Sequence, residues 1–301
     1  MVDSNLPLET MPTSLSQSET DDLLAKVGIQ LQENTFDIKD EVLLKQLVEC
    51  LGDTRGMTRL RVAETLGKVG QPSTPFLESA LSHHQNPVVR RAAAKTLTLI
   101  ANPQTIPTLI HALLHDEDTV VKGSSVAALA KMGKASVPEL LKILESNEHP
   151  DSTKGHAAWA LTFIGAEAQE YLHQALSSDA SEVRAAVIGA IAKVAHEKPE
   201  DGGFQILIKA LDDKAEIVRC EAAAALGNLG YQPALTKLID LLNHPDWETR
   251  KSTTLALMKI RDRQALEPLR VAFAKESEVA VQKVINLAIN QLEKQSIENA
   301  S

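Results

Sequence analysis

The sequence predicts an all-α protein, an α-solenoid of about eight helical hairpins. Three observations carry that prediction. A basic residue followed seven positions later by an aliphatic one recurs at nearly constant spacing: Arg59, Arg90, Lys122, Lys154, Arg184, Arg219 and Arg250, with Gln282 closing the series. Successive anchors lie 31, 32, 32, 30, 35, 31 and 32 residues apart, a period that marks stacked repeats. The composition agrees: 44% of the 301 residues are hydrophobic but only 3% aromatic, so Leu, Ala, Val and Ile must fill closely packed layers.

The elements follow in chain order. Residues 1–18 are rich in Ser, Thr and Pro and sparse in apolar residues, the composition of an unstructured segment. Residues 19–40 read as an acidic helix, ETDDLLAKVGIQLQEN, and a linker; solenoids need such a polar cap over the first repeat. Residues 41–292 hold the hairpins. The first helix of many is opened by proline (Pro75, Pro107, Pro138, Pro233, Pro268), which suits a first turn whose amides lack partners anyway. Short polar turns such as HDEDTVVK and NHPDWETR follow, and their Asp and Asn residues suit the N-cap of the second helix. The interval of 35 suggests an inserted loop, HEKPEDGG (196–203). Residues 293–301 are expected to fray.

Charge and motifs exclude several functions. The formal charge is −9, of which −7 falls in residues 1–58; the remainder is nearly neutral, without the basic balance that nucleic-acid binding needs. No apolar run reaches the length of a membrane span, and the N-terminus has no secretory pattern, so a cytoplasmic protein is expected. Two cysteines, Cys50 and Cys220, are too few for a disulfide framework or a thiolate zinc site. His111 and His115 stand four apart, but without a third ligand, so no metal site is expected. Phosphate-binding and nucleophile-elbow motifs are lacking.

A proline-led helix, an Asp-containing turn, then Val-Arg and an Ala-rich helix resemble HEAT repeats. The short period, with Leu66-Gly67 and Gly70, resembles the phycobilisome-lyase HEAT-like class. The resemblance covers roughly 250 residues. It implies that the second helix of each hairpin lines a concave groove.

Register then selects residues on that helix. Counting the anchor as zero, positions three, seven and ten are apolar or small, as in Val62, Leu66 and Val69, and should face the core. Positions five and nine are mostly charged or small and should face outward. The fourth copy departs from this: Trp159 stands at position five and Phe163 at position nine, where four copies have Lys. His156, three residues before Trp159, shares their face. Lys131 and Lys193 flank the patch one repeat to either side, and Gly123, Ser124, Ala127, Gly155, Ala185, Ala186 and Gly189 around it are small. These residues predict a shallow apolar site edged by ammonium groups. Cys220, beside an anchor arginine, is a candidate accessible thiol with a lowered pKa. The anchor arginines Arg59, Arg90, Arg184, Arg219 and Arg250 are expected to form exposed ion pairs with turn acids such as Asp213 and Asp246, worth only about 0–1 kcal/mol each.

Two functions fit. One is an interaction scaffold that binds another protein in the groove through His156, Trp159 and Phe163. The other is implied by the resemblance: a bilin lyase subunit or chromophore chaperone, acting on phycobiliproteins and holding phycocyanobilin as a ligand. Lys131 or Lys193 would then pair with the propionates. No resident cofactor and no self-contained catalytic constellation are expected in either.

Overall fold

The computed structural model describes residues 15–298. Of the segments expected to be irregular, 1–18 and 293–301, residues 1–14 and 299–301 lie outside the described residues, whereas Gln17, Ser18 and residues 293–298 are helical. A first helix, α1 (Gln17–Gln32), precedes eight hairpins. These are α2 (Glu41–Glu49) with α3 (Gly56–Val69), α4 (Thr74–His83) with α5 (Pro87–Ile100), and α6 (Ile106–His115) with α7 (Thr119–Lys131). Then come α8 (Val137–Glu145) with α9 (Asp151–Ile164), α10 (Gln169–Ala175) with α11 (Ser181–Glu197), and α12 (Gly203–Ala210) with α13 (Glu216–Asn228). The last are α14 (Leu235–Leu241) with α15 (Trp247–Ile260) and α16 (Leu266–Lys275) with α17 (Val279–Glu298). No strand occurs among the described residues. The chain divides into two compact units, Met1–Ser136 and Val137–Ser301.

Local chemistry sets the helix ends. Ser16 and Glu19 form a reciprocal capping box at the start of α1. Asn86, Asp118 and Asp246 accept backbone N–H bonds at the starts of α5, α7 and α15. Each second helix from α3 to α15 is followed by a single 3-10 turn that leads into the next hairpin. Two of these turns bury a serine for a defined purpose. Ser73 Oγ donates to the carbonyls of Leu66 and Gly70, and Ser136 Oγ to those of Leu129 and Gly133. The hydroxyls thereby satisfy carbonyls that a helix end leaves unpaired. Gly70, at φ 75° and ψ −139°, turns the chain there through a region that only glycine enters freely.

In each unit the second helices pack flank to flank, and the first helices lie against their own partners. The register explains this layering: Val62, Leu66, Ala93, Leu97, Ala157 and Leu161 are fully buried. In the first unit α1 covers α3 through buried Thr20, Leu24 and Val27, while Arg55 reaches Asp21 at 2.8 Å. Cys50 is buried beneath it, its thiol 3.8 Å from Thr20 Oγ1.

Two expectations need correction. The extra residues at 196–203 do not form a loop: α11 absorbs His196 and Glu197, and a 3-10 turn (Pro199–Asp201) leads directly into α12. Pro233 lies in a 3-10 turn, two residues before α14 begins.

The anchors also differ from expectation, because their guanidinium groups are not exposed. Arg184 and Arg219 are buried, at 6% and 8% exposure. Four of the five anchor guanidinium groups, those of Arg90, Arg184, Arg219 and Arg250, make a two-sided clasp. Arg184 Nη1 takes the Ser178 and Asp179 carbonyls of its own turn, while Nε and Nη2 fork onto Asp213 of the next turn at 2.9 and 2.8 Å. Arg90 with Asp116 and Arg250 with Glu276 repeat the geometry, and Arg219 reaches Asp246 and Thr249. Arg59 forms no such pair; it donates to the Asp53 carbonyl alone.

These clasps predict acid sensitivity. Arg184 holds the Asp213 carboxyl below its ordinary value, Arg250 does so for Glu276, and Arg55 for Asp53. Burial opposes the effect at Asp116 and Asp246, but hydrogen bonds outweigh it and lower both. A carboxylate with a depressed folded pKa stabilises the fold fully above its unfolded value of about 4. That contribution is lost as the pH falls through the folded value. Urea midpoints should therefore stay nearly level from pH 7 to 5 and fall steeply below about 4. Asp213→Asn should flatten the fall, because its share is already absent at neutral pH. A midpoint that holds down to pH 3 would refute the clasps as a source of stability.

Candidate functional site

The second unit contains a cleft of about 350 Å³ on its layer of second helices, lined from α8, α9, α11 and α13. Its formation begins with small side chains. Gly155, Ala158, Ala185, Ala186 and Gly189 keep its floor low, and Trp159 and Ile217 stand as apolar walls. Trp159 and Ile217 are 49% and 48% exposed, unusual for such large apolar residues. The larger cleft of the first unit, about 580 Å³ around Phe76 and Lys45, coincides with no departure from the repeat.

Trp159 carries the aromatic surface. Phe163, four residues on and thus on the same helix face, stacks against it with ring centroids 5.5 Å apart. Phe163 is itself 51% exposed. Lys193 from α11 completes the rim: its ammonium lies 5.0 Å from the Phe163 ring and donates to the Phe163 carbonyl at 2.6 Å. The lysine stem passes Gly165, whose positive φ of 56° ends α9 in a conformation that favours glycine.

The sequence therefore grouped Trp159, Phe163 and Lys193 as the structure does. The other candidates are not among the residues that line the cleft. His156 is half-buried with an unpartnered buried Nδ1 and does not line the cleft. Lys131 is exposed at the end of α7, in the other unit. Cys220 is half-buried and outside the lining. Its expected activation is reversed: burial pushes the thiol up, and the Glu216, Asp246 and Glu248 carboxylates add to this against a hydrogen bond from Ser252. Cys220 is a poor thiolate. Among the described residues, no cluster of three or more His, Cys, Asp or Glu has the arrangement to hold a metal ion.

Sequence reasoning missed the polar wall. Lys154, Asp151, Glu182 and Glu221 all line the cleft. Lys154 stands at the anchor position but breaks the clasp pattern. Arg59, Arg90, Arg184, Arg219, Arg250 and even Gln282 donate to the carbonyl six residues back in their own turn, and Lys122 to the Leu114 carbonyl at the end of α6. Lys154 does not; its charged neighbour is Glu182 at 4.0 Å. The reason is legible in retrospect. The turn position that supplies Asp213 and Glu276 to other anchors is Ser178 in the fifth hairpin. With no acid to clasp, the lysine faces the cleft.

Glu221 crosses over α11, and Gly189 is what admits it: a Cβ there would meet Glu221 Oε1 at 3.0 Å and Thr162 Oγ1 at 3.7 Å. The Glu221 side chain remains exposed, and crowding by the surrounding protein raises its carboxyl above the ordinary value, with no cation to offset the effect. The arrangement suits a flat, conjugated ligand with polar edges: aromatic stacking on one wall, small residues beneath, and hydrogen-bonding groups opposite.

Comparison with known proteins adds an independent result. The HEAT-repeat profile matches residues 74–161, 137–201 and 204–290. The chain is 34% identical over 282 residues to the bilin biosynthesis protein MpeU of Synechococcus sp. (strain WH8020), covering 93% of this chain and 95% of that one. It is 27% identical over 186 residues to the bilin biosynthesis protein PecE of Mastigocladus laminosus, covering 61% and 56%. Importin beta shares the fold at a TM-score of 0.52 and 14% identity, over 92% of this chain and 46% of that one. Among the described residues, no helix is long and apolar enough to cross a membrane.

Proposed function

The chain belongs to the HEAT-repeat family and, within it, to the family of the bilin biosynthesis protein MpeU; from this we propose that it handles a linear tetrapyrrole during the attachment of bilins to phycobiliproteins. The near full-length similarity to MpeU is the observation that carries this reading. The cleft supplies a place for the pigment. Trp159 stacks on the conjugated system, Phe163 supports the tryptophan from outside, and Ile217 closes the opposite wall.

The chemistry asked of such a protein is mainly positioning. A bilin reacts with a cysteine thiol of its acceptor, and holding both partners in one geometry converts a bimolecular encounter into a local one. The protein's own thiols do not suit covalent transfer: Cys50 is buried, and burial raises the pKa of both. The acceptor therefore supplies the nucleophile, and this chain presents the pigment to it. The scaffold role is contained in that reading, with the exposed Trp159–Phe163 stack serving both pigment and acceptor.

Mixing the purified protein with phycocyanobilin tests this directly. The visible band should shift to longer wavelength and sharpen, and Trp159→Ala should weaken binding about tenfold or more, on the scale of one lost aromatic stacking contact. A wild-type mixture that keeps the spectrum of the free pigment would reject pigment handling. Trp159-dependent capture of a phycobiliprotein without pigment would leave the scaffold role alone.

A further inference from the structure

The tetrapyrrole reading leaves open which way the pigment faces, and the polar wall bears on this. A linear tetrapyrrole has two chemically distinct edges. One carries the pyrrole nitrogens, which are largely hydrogen-bond donors; the other carries the propionate carboxylates. Three of the four ionisable groups lining the cleft are acids, Asp151, Glu182 and Glu221, and the one cation, Lys154, already has Glu182 at 4.0 Å. A propionate placed inside would meet an excess of like charge. An N–H edge would meet acceptors.

Glu221 is the acceptor best placed for it. It lines the cleft from α13, while Trp159 lines it from α9. Its carboxylate is carried across α11 by the missing side chain of Gly189, and no hydrogen bond or ion pair from this chain engages it. Lys154 does not neutralise it, being drawn to Glu182 on the neighbouring helix. The Glu221 side chain is exposed at the cleft and carries no partner from this chain, so its carboxylate is free to accept hydrogen bonds from a ligand. Resting on the tetrapyrrole reading, we propose that Glu221 accepts hydrogen bonds from the pyrrole N–H groups, so that the pigment lies nitrogen edge inward with its propionates outward at the Phe163–Lys193 rim. On the outward side the Lys193 ammonium is half-exposed beside the aromatic stack, with Glu197 at 3.9 Å, and offers a cation at that edge.

The orientation makes opposite predictions for the two edges, which the full chain can test with phycocyanobilin and its dimethyl ester. Esterification removes the propionate charges and leaves the nitrogens unchanged. Both forms should bind the wild-type protein within about threefold of each other. Glu221→Gln should weaken both about tenfold, the loss of a charge-assisted hydrogen bond, without lowering the melting temperature. Gly189→Ala, which pushes the carboxylate aside without removing it, should weaken both in the same direction. An ester that binds tenfold more weakly than the acid would place the propionates inward and overturn the proposal, as would unchanged affinity in Glu221→Gln. Those outcomes spare the cleft as a bilin site. Failure of the wild-type protein to bind either form would instead remove the reading on which the proposal rests.

Discussion

Arg184→Met is expected to destabilise the second unit by about 3 kcal/mol, read as a lowered urea midpoint at neutral pH. The magnitude follows from what the guanidinium does. It is 6% exposed and makes four hydrogen bonds, two to carbonyls of its own turn and two to Asp213. Methionine fills much of the same space, so the lost packing is minor. The cost is electrostatic. Asp213 is left desolvated without its cation, and the Ser178 and Asp179 carbonyls lose their donor. A surface ion pair would cost no more than about 1 kcal/mol, so the measurement separates the two descriptions. Pairing Arg184→Met with Asp213→Asn should recover only part of the loss. The second substitution removes the stranded charge but restores nothing to the two carbonyls. A loss below about 1 kcal/mol would reduce the clasp to an exposed ion pair. Because repeats stack by nearest-neighbour contacts, amide exchange should rise first in the fifth and sixth hairpins.

The error in weighing these arginines shows where sequence reasoning stops. The period, the hairpins and the buried stripe were legible because they depend on helical spacing within a repeat, and that spacing is local. Val62, Leu66 and Leu161 are buried as their register requires. Burial of a charged anchor depends on what the next hairpin lays over it, so Arg184 and a freely solvated arginine look alike in sequence. Cys220 failed for a related reason. Its sequence neighbours include Arg219, but the fold desolvates the thiol, the carboxylates of Glu216, Asp246 and Glu248 add to this, and the sign of the effect reverses. The site was half legible. Trp159 and Phe163 stood out against their repeat positions, and Lys193 at the rim followed from the period. Glu221 did not stand out. Its significance comes from an absent side chain 32 residues earlier, Gly189, on a helix that it crosses. The available signal was the pairing of a glycine at position five in one repeat with an acid at position two in the next.

Gly227→Ala is expected to destabilise the second unit by about 1–3 kcal/mol, although alanine is the better helix former. Gly227 lies in the last turn of α13, where α13 and α15 meet. A Cβ on it would stand 2.6 Å from Ala256 Cα and 3.0 Å from Ala256 Cβ. The obstructing atoms are backbone or tied directly to it, so no rotamer change relieves the contact. Helix α15 would have to move, and α15 also packs on α17. Two effects oppose each other. Helix propensity favours alanine by about 1 kcal/mol in an exposed interior, but overpacking costs about 1–3 kcal/mol and here spreads along a helix interface. Overpacking wins because the gap is too small for even one methyl group. Gly123→Ala is the matched control, in α7 of the other unit. Nothing lies within 4 Å of the Cβ it would add, so propensity acts alone and the protein should be slightly stabilised. Opposite signs for the same chemical change, measured by thermal melts of both variants, would show that the spacing of second helices is set by which glycines face a neighbour. Equal signs would mean that α13 and α15 have slack the geometry does not show.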